Sequence, residues 1–450
     1  MLRVAVVGSG PSGVYTAQTL VQQRDVPDVR VDVLDRLPCP YGLVRYGVAP
    51  DHEKIKSLQG SLRTVLEDER IRFLGNVEVG GAELTPGRLL GMYHAVVYCV
   101  GAARDRHLEI PGEELPGSYA ATDFVSWYSA HPDAADDGFG LGAVRSAVVI
   151  GAGNVAVDVT RILARGEAEL RITDMPQPAL GELARSGVRE VAMVARRGPS
   201  QGKFTTKELR ELGTLPGVDT VVDAAELALD PDYADPGALP AANRRNVEVL
   251  RGWAEASPGG GSRRVALRFY LRPVEVLAGS DGRVAGVRFE RTLPDGRGGV
   301  RGTGTYEEIE AQLVLRSVGY RGRELPGLPF DARTGTVPHA AGRVLREGAP
   351  SPGEYVAGWI KRGPTGVIGT NRPCAKETAG SLLADAAELA LREVTGDPLD
   401  ALRAAGLRPV EWRGWLAIER AEEDLGRSLG RRSVKIPDWG GLLGAAAEGR

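Results

Sequence analysis

The sequence predicts an α/β chain built around two Rossmann-like, three-layer units. Two observations predict it: a strand, glycine turn, helix and strand at the N-terminus, and a second such series starting near residue 144. Apolar strands ending in glycine also recur, at 94–101 and 313–319. Taken in order, 4–7 reads as a strand, 8–13 as the first turn, 14–23 as a helix and 29–34 as the second strand. That second strand alternates only loosely, as a strand covered on both faces can. In the later series, 144–150 is the strand, 151–154 the turn, and the helix runs to about Arg165. The next strand is expected at 188–195, so residues 166–187 are expected to loop out. Residues 265–293 read as β-rich, 257–262 (SPGGGS) as a flexible loop, 376–405 as helix, and the remaining tail as polar.

Composition narrows the class. The chain has 450 residues, 42% hydrophobic and 26% charged, which is ordinary for globular domains and rules out disorder, collagen and coiled coil for the whole. The 56 basic and 59 acidic residues leave a formal charge of −3, so no basic excess points to nucleic acid. No apolar run approaches the roughly 18 residues of a membrane span. Cys39, Cys99 and Cys374 stand far apart and offer no zinc or iron–sulfur spacing, so no metal site is expected. They suggest no disulfide framework, and MLRVAVVGSG runs straight into a strand, so a cytoplasmic location is expected.

The first turn, GSGPSG, places Gly8, Gly10 and Gly13 in the GxGxxG pattern. The first glycine allows the tight turn, the second lets backbone approach a pyrophosphate, and the third lets helix pack on strand. The helix N-terminus then supplies amides and a positive dipole end. Asp35, at the end of the second strand, stands where an acid binds ribose hydroxyls. The second turn, GAGNVA, is the GxGxxA variant, with Gly151, Gly153 and Ala156. Its second strand ends in Arg196 and Arg197. Two guanidiniums there suit a 2′-phosphate, which predicts NADP rather than NAD. Two further runs are dense in glycine and aromatics, CPYGLVRYGVAPDH from Cys39 to His52 and GWIKRGPTGVIGTN from Gly358 to Asn371.

These motifs, with RRGPSQGKFTTKELRE and SVGYRG, together resemble the adrenodoxin reductase-type ferredoxin–NADP reductases. The match runs over nearly the whole chain with the motifs in the same order. Single motifs of this series occur in many flavoproteins; the full series is specific. The resemblance implies an NADP domain inserted into an FAD domain, with FAD at about 1–103 and 325–450 and NADP at about 104–324. It places FAD at Ser12, Asp35, Leu43, Val79, Trp359, Gly366, Val367 and Ile368. The family pattern has glutamate where this chain has Asp35, which is shorter but still accepts two hydroxyls. NADP is placed along Gly153, Asn154, Val155 and Ala156, with Arg196 and Arg197 on its 2′-phosphate, and Glu208 and Gly366 also matching contacts. His52, Asp158 and Glu211 match polar residues near flavin and nicotinamide. Each has a plain structural alternative: a loop cap for His52, a satisfied helix residue for Asp158, and a surface pair with Lys207 for Glu211.

The activity implied is ferredoxin–NADP reductase: electrons pass between NADPH and ferredoxin through FAD, feeding monooxygenases or other ferredoxin-dependent enzymes. Hydride brings two electrons, a ferredoxin takes one at a time, and a flavin can hold two, one or none. With no cysteine cluster here, the iron–sulfur centre belongs to a separate, acidic ferredoxin. Arg244, Arg245 and Arg251, on an expected helix, are a candidate docking face, a solvated face being the plain alternative. The family is commonly monomeric. Competing readings are a disulfide reductase, for which Cys39 has no nearby partner in sequence, a glutamate synthase-like subunit, which needs clustered cysteines, and a flavin monooxygenase. From another class comes a non-enzymatic, FAD-binding relative that only binds a partner; the intact GAGNVA turn and Arg196–Arg197 pair argue against it.

Overall fold

The structure is a computed structural model that describes residues 1–135, 137–257 and 259–449. Pro258, in the expected SPGGGS loop, lies outside the described residues. The chain forms two compact units, Met1–Arg104 with Tyr320–Arg450, and Asp105–Gly319. The first unit thus contains both ends of the chain.

The first unit opens with β1 (Leu2–Val7), α1 (Pro11–Gln22), β2 (Val29–Leu34), β3 (Ile71–Gly75) and β4 (Ala95–Tyr98). The second unit has β5 (Ser118–Ala120), β6 (Ser146–Ile150), α2 (Asn154–Ala164), β7 (Glu190–Val194), α3 (Thr206–Leu212), β8 (Val218–Val222) and α4 (Ala241–Glu255). It continues through β9 (Arg263–Arg268), β10 (Leu271–Ala278), β11 (Val284–Pro294), β12 (Val300–Glu310) and β13 (Leu313–Arg316). Back in the first unit come β14 (His339–Ala340), β15 (Arg343–Arg346), β16 (Ala349–Val356), α5 (Asn371–Ala384), β17 (Val410–Glu411), α6 (Trp412–Ser428) and α7 (Trp439–Ala447).

The first unit's sheet has the order β14-β15-β16-β4-β1-β2-β3-β17. Its centre, from β16 to β3, is parallel, with antiparallel strands at both edges. Residues of β1 alternate between two cores. Val4 and Val6 face one that includes Leu20 and Leu382, whereas Ala5 and Val7 face one that includes Leu89 and Ile360. Burial on both faces explains why β2 lacks clean alternation. The second unit's sheet, β5-β13-β6-β7-β9-β8, is parallel throughout. One face is covered by the antiparallel sheet β10-β11-β12, whose Leu271, Val276, Val287 and Phe289 share a core with Val148, Ile150 and Val194.

Three expectations need correction. Residues 166–187 do not simply loop out; they form two short helices, Glu167–Arg171 and Gln177–Ala184, with Leu170, Leu180 and Leu183 buried. The expected helix at 376–405 is broken into Asn371–Ala384, Ala386–Leu389 and Pro398–Ala404, because Asp385 starts a new turn and Gly396 has φ +74°. The tail is not merely polar. In α6 a stripe of Trp415, Ile418, Glu422 and Gly426 is buried, and Leu442 of α7 is wholly enclosed. A carboxylate and a glycine within that stripe lower its hydropathy and mask the pattern.

Candidate dinucleotide sites

In the first turn, Gly8 has φ +111°, and a Cβ added to it would lie 2.5 Å from the Cys99 carbonyl oxygen. A Cβ on Gly13 would lie 1.8 Å from the Gly8 carbonyl oxygen, so α1 sits directly on the turn. Gly10 differs: its Cβ would meet only Gly42 Cα, at 3.8 Å. The turn is crowded where helix meets strand and open at its middle glycine. No acidic side chain occupies the first turn of α1. That arrangement suits a pyrophosphate at a helix N-terminus.

Two distant segments converge on this turn. Tyr41 donates its amide to the Ser9 carbonyl at 3.1 Å, and a Cβ on Gly42 would lie 2.9 Å from Gly10 Cα. Gly358, with φ +79°, approaches so closely that its Cβ would lie 2.5 Å from Ser12 Oγ. Trp359 follows, its ring 5.5 Å from that of Tyr320. The segment then runs through an exposed stretch, in which Gly366 has φ +83° and Val367 is 60% exposed, to Ile368. Arg362 ties it down through Thr370 Oγ1 at 3.0 Å and Asn371 Oδ1 at 3.1 Å. Val79 is buried and Leu43 is exposed.

Asp35 closes the turn from the end of β2. Its Oδ2 accepts from the Ser9 amide at 2.8 Å and Ser9 Oγ at 2.5 Å, and its Oδ1 accepts from the Leu37 amide at 2.9 Å. Desolvation raises its pKa, against the opposing pull of those Ser9 and Leu37 bonds. The shorter aspartate is thus tied to Ser9 of the glycine turn. His52 is buried in the same unit, and its carbonyl accepts from the Ile55 and Lys56 amides.

The second turn repeats the design. Gly151 has φ +149°, and its Cβ would lie 2.2 Å from the Ser317 carbonyl oxygen, while a Cβ on Gly153 would meet nothing within 4 Å. Ala156, where the first turn has its third glycine, is buried with its methyl accommodated. Val155 is half-buried in the first turn of α2. Asn154 Oδ1 accepts from the Thr205 amide at 2.8 Å, and Thr205 Oγ1 caps α3 at the Glu208 amide. Lys203 donates its amide to the Ala152 carbonyl at 2.8 Å. The run GKFTTKELRE is therefore anchored beside the glycine turn. Glu208 is buried, and its Oε2 has no hydrogen-bond partner. Arg196 is exposed and Arg197 half-buried just beyond β7. Neither guanidinium makes an ion pair among the described residues, which leaves both available to a phosphate.

Asp158 and Glu211 are brought together, although they lie 53 positions apart. Both meet Arg161, a fully buried residue of α2 that motif reading missed. Its only sequence signal is a charge inside the apolar run VAVDVTRILA. Lys207 and Glu211 do form the i,i+4 pair, at 3.8 Å. Beside them a cavity of about 1080 Å³ is lined by Lys203, Lys207, Arg210, Glu211 and Arg245. Arg251, the third residue of the expected docking set, donates to the Tyr233 carbonyl and lies 4.9 Å over the Tyr233 ring. His107, Glu113 and Glu114 bring three potential metal ligands within 4.8 Å, but the Glu113 carboxylate is already held by Arg316 and the Leu108 and Glu109 amides.

Two sheets, each with parallel strands around a glycine turn open for a pyrophosphate, define a chain built to hold two dinucleotides. Comparison with known proteins gives the particular kind. The family described as pyridine nucleotide-disulphide oxidoreductase matches residues 2–199. NADPH-ferredoxin reductase FprA of Mycobacterium tuberculosis is 46% identical over 98% of both chains. The mitochondrial NADPH:adrenodoxin oxidoreductase of Arabidopsis thaliana is 37% identical, over 99% of this chain and 95% of its own. A solved structure of Mycobacterium tuberculosis FprA in complex with NADPH superposes with a TM-score of 0.92 at 45% identity, covering 99% of both chains. The chain belongs to the family of FprA-type and adrenodoxin reductase-like flavoprotein oxidoreductases.

Proposed function

We propose that this protein is an NADPH–ferredoxin reductase that carries FAD in the first unit and takes NADP(H) in the second. The observation that carries the reading is the pair of open glycine turns, the second followed by two uncommitted arginines. A non-enzymatic FAD-binding protein would have no use for Arg196 and Arg197. When bound, FAD supplies the redox chemistry, taking hydride from NADPH and releasing electrons one at a time. The protein's part is positioning. The α1 N-terminus and Gly10 would hold the FAD pyrophosphate, with Ser12, Asp35, Leu43, Val79 and Trp359 around the rest. Gly366, Val367 and Ile368 would bring backbone to the flavin. Gly153, Asn154, Val155 and Ala156 would hold the NADP pyrophosphate, with Arg196 and Arg197 on the 2′-phosphate and Glu208 on a ribose hydroxyl. Asp158 and Glu211 would face the nicotinamide, and His52 would serve the flavin side.

The electron acceptor is an acidic ferredoxin bound to a face containing Arg244 and Arg245, and the downstream users are monooxygenases or other ferredoxin-dependent enzymes. A monomer in a reducing cytoplasm fits the three cysteines, all buried and unpaired. None of the helices among the described residues is long and apolar enough to cross a membrane. The test is to purify the chain and add NADPH or NADH anaerobically with a ferredoxin present. Flavin absorbance bleached preferentially by NADPH, followed by ferredoxin reduction, is the expected result. A flavin that neither nucleotide bleaches would leave only the binding-protein reading.

A further inference from the structure

Buried donors without partners mark one short segment of the first unit. Trp359 and Arg362 open and close the single helical turn Trp359–Arg362. Trp359 Nε1 and Arg362 Nη1 are both enclosed, and neither has a hydrogen-bond partner among the described residues. No carboxylate among those residues pairs with Arg362 either. Arginine carries its charge throughout the physiological range. A buried donor left unpaired is unfavourable, the more so when it is charged. Two such donors on one turn point to an acceptor that the chain itself does not supply.

The other arm of the guanidinium shows where that acceptor lies. Arg362 Nη2 donates to the Thr365 carbonyl at 3.4 Å, to Thr370 Oγ1 at 3.0 Å and to Asn371 Oδ1 at 3.1 Å. Those residues flank Gly366, Val367 and Ile368. Thr370 Oγ1 donates to the Val367 carbonyl at 2.7 Å, and Asn371 Nδ2 to the Ile368 carbonyl at 3.0 Å. A Cβ on Gly366 would lie 2.5 Å from Thr370 Oγ1. The guanidinium thus backs the loop read as bringing backbone to the flavin. Neighbouring charges do not cancel it. Lys361 pairs with Glu377 at 2.9 Å, and Arg372 lies 4.6 Å over the Tyr15 ring. Neither α1 nor the first turn of α5 carries an acid.

We propose that Arg362 is a further cofactor residue with two tasks: it fixes the Gly366–Ile368 loop, and its charge favours the reduced flavin over the oxidised one. The inference rests on the reading of the first unit as the FAD unit. Hydride brings two electrons and one proton, so the ring system gains one negative charge on reduction. A fixed cation with no counterion in the protein stabilises that added charge. By linkage, whatever Arg362 adds to binding of the reduced form over the oxidised form, it adds to the ease of reduction. The FAD pyrophosphate is charged in both states, so a cation serving it alone would leave that balance unchanged.

The test takes the FAD-loaded protein and Arg362→Gln, reduced stepwise with dithionite in the absence of oxygen beside a dye of known potential. At a given ratio of reduced to oxidised dye, the ratio of reduced to oxidised flavin is expected to fall about 10-fold in Arg362→Gln. Arg362→Lys keeps the charge and loses the fork, so it should hold the parent's flavin ratio while releasing oxidised FAD faster. Thr370→Val loosens the same loop without touching a charge; it too should release FAD faster and leave the ratio unchanged. A lower melting temperature and faster FAD release in Arg362→Gln, with the flavin ratio of the parent, would make Arg362 a structural or pyrophosphate residue and overturn the proposal. If Arg362→Gln loses FAD outright, Arg362→Lys decides: the parent's ratio supports the charge, and a ratio lowered about 10-fold overturns it. A parent that neither carries FAD nor takes it up would instead remove the reading of the first unit on which the inference rests.

Discussion

Single residues of this chain act by what they leave open as much as by what they hold. Gly10 and Gly153 face space, while Gly8, Gly13 and Gly151 stand where a Cβ would strike backbone within 2.5 Å. Among the described residues, no ion pair takes up the guanidiniums of Arg196 and Arg197 beyond β7. On the proposed role, Arg197→Ala lowers NADPH use far more than NADH use, measured as kcat/KM for each nucleotide. Equal losses would put the 2′-phosphate elsewhere. Asp105 shows a different control. Burial, and then the like charge of Asp123, raise its carboxyl from 3.8 to about 7. Thr122 Oγ1 donates to it. Because the folded-state value lies above the unfolded one, the group stabilises the fold fully below about pH 4. That contribution fades as pH rises through about 7. Asp105→Asn should therefore raise the melting temperature at pH 8 more than at pH 5. A shift of the same size at both pH values would contradict the buried, protonated carboxyl.

At the scale of elements, the C-terminal helices do what the sequence concealed. Trp415 and Ile418 of α6 and Leu442 of α7 enter the core formed by one face of the first sheet. Within that contact Arg45 and Glu422 meet at 2.6 Å, each side chain only 4% exposed. Arg45 also lies about 5 Å over the rings of Tyr46 and Trp415. Glu422 takes the Ile436 amide as well, and Lys435 Nζ donates to the Arg45 carbonyl at 2.6 Å. The segment that approaches the first glycine turn is thereby fastened to the chain's last helices. Glu422→Leu strands a buried guanidinium and should cost about 3–5 kcal/mol of stability. Denaturant unfolding measures it, and pairing the change with Arg45→Met should recover much of the loss. If the double variant were no more stable than Glu422→Leu alone, the pair would not be acting as a buried unit.

For the whole molecule, the chain leaves the first unit at Arg104 and returns at Tyr320, so two folding patterns are nested in one sequence. The protein's partner belongs to this scale. The proposed docking face is tested first at Arg244, because Arg251 also contacts Tyr233. Arg244→Glu should weaken ferredoxin reduction at low salt and spare reduction of a small neutral dye, with the gap closing as salt screens the charge. Equal loss with both acceptors would remove Arg244 from docking.

The fold class and both glycine turns were legible in the sequence. Those features are local: a tight turn needs glycine, a strand buried on both faces is apolar, and a helix start follows at fixed spacing. Arg161, Arg45 and Glu422 were not legible, because a charge in a helix usually marks the solvent side. Nothing in its neighbours along the chain says that its partner arrives from 50 or 377 residues away. The broken helix after Ala384, the two helices between Gly166 and Gly187, and the buried face of α6 were hidden for a related reason. Their apolar stripes are short, or interrupted by Asp, Glu and Gly that packing tolerates. Residue order along the chain was enough for two dinucleotide turns and the charge offered at the second. Which carboxylates meet one guanidinium emerges from the fold alone, because burial and long-range pairing are properties of the packed chain.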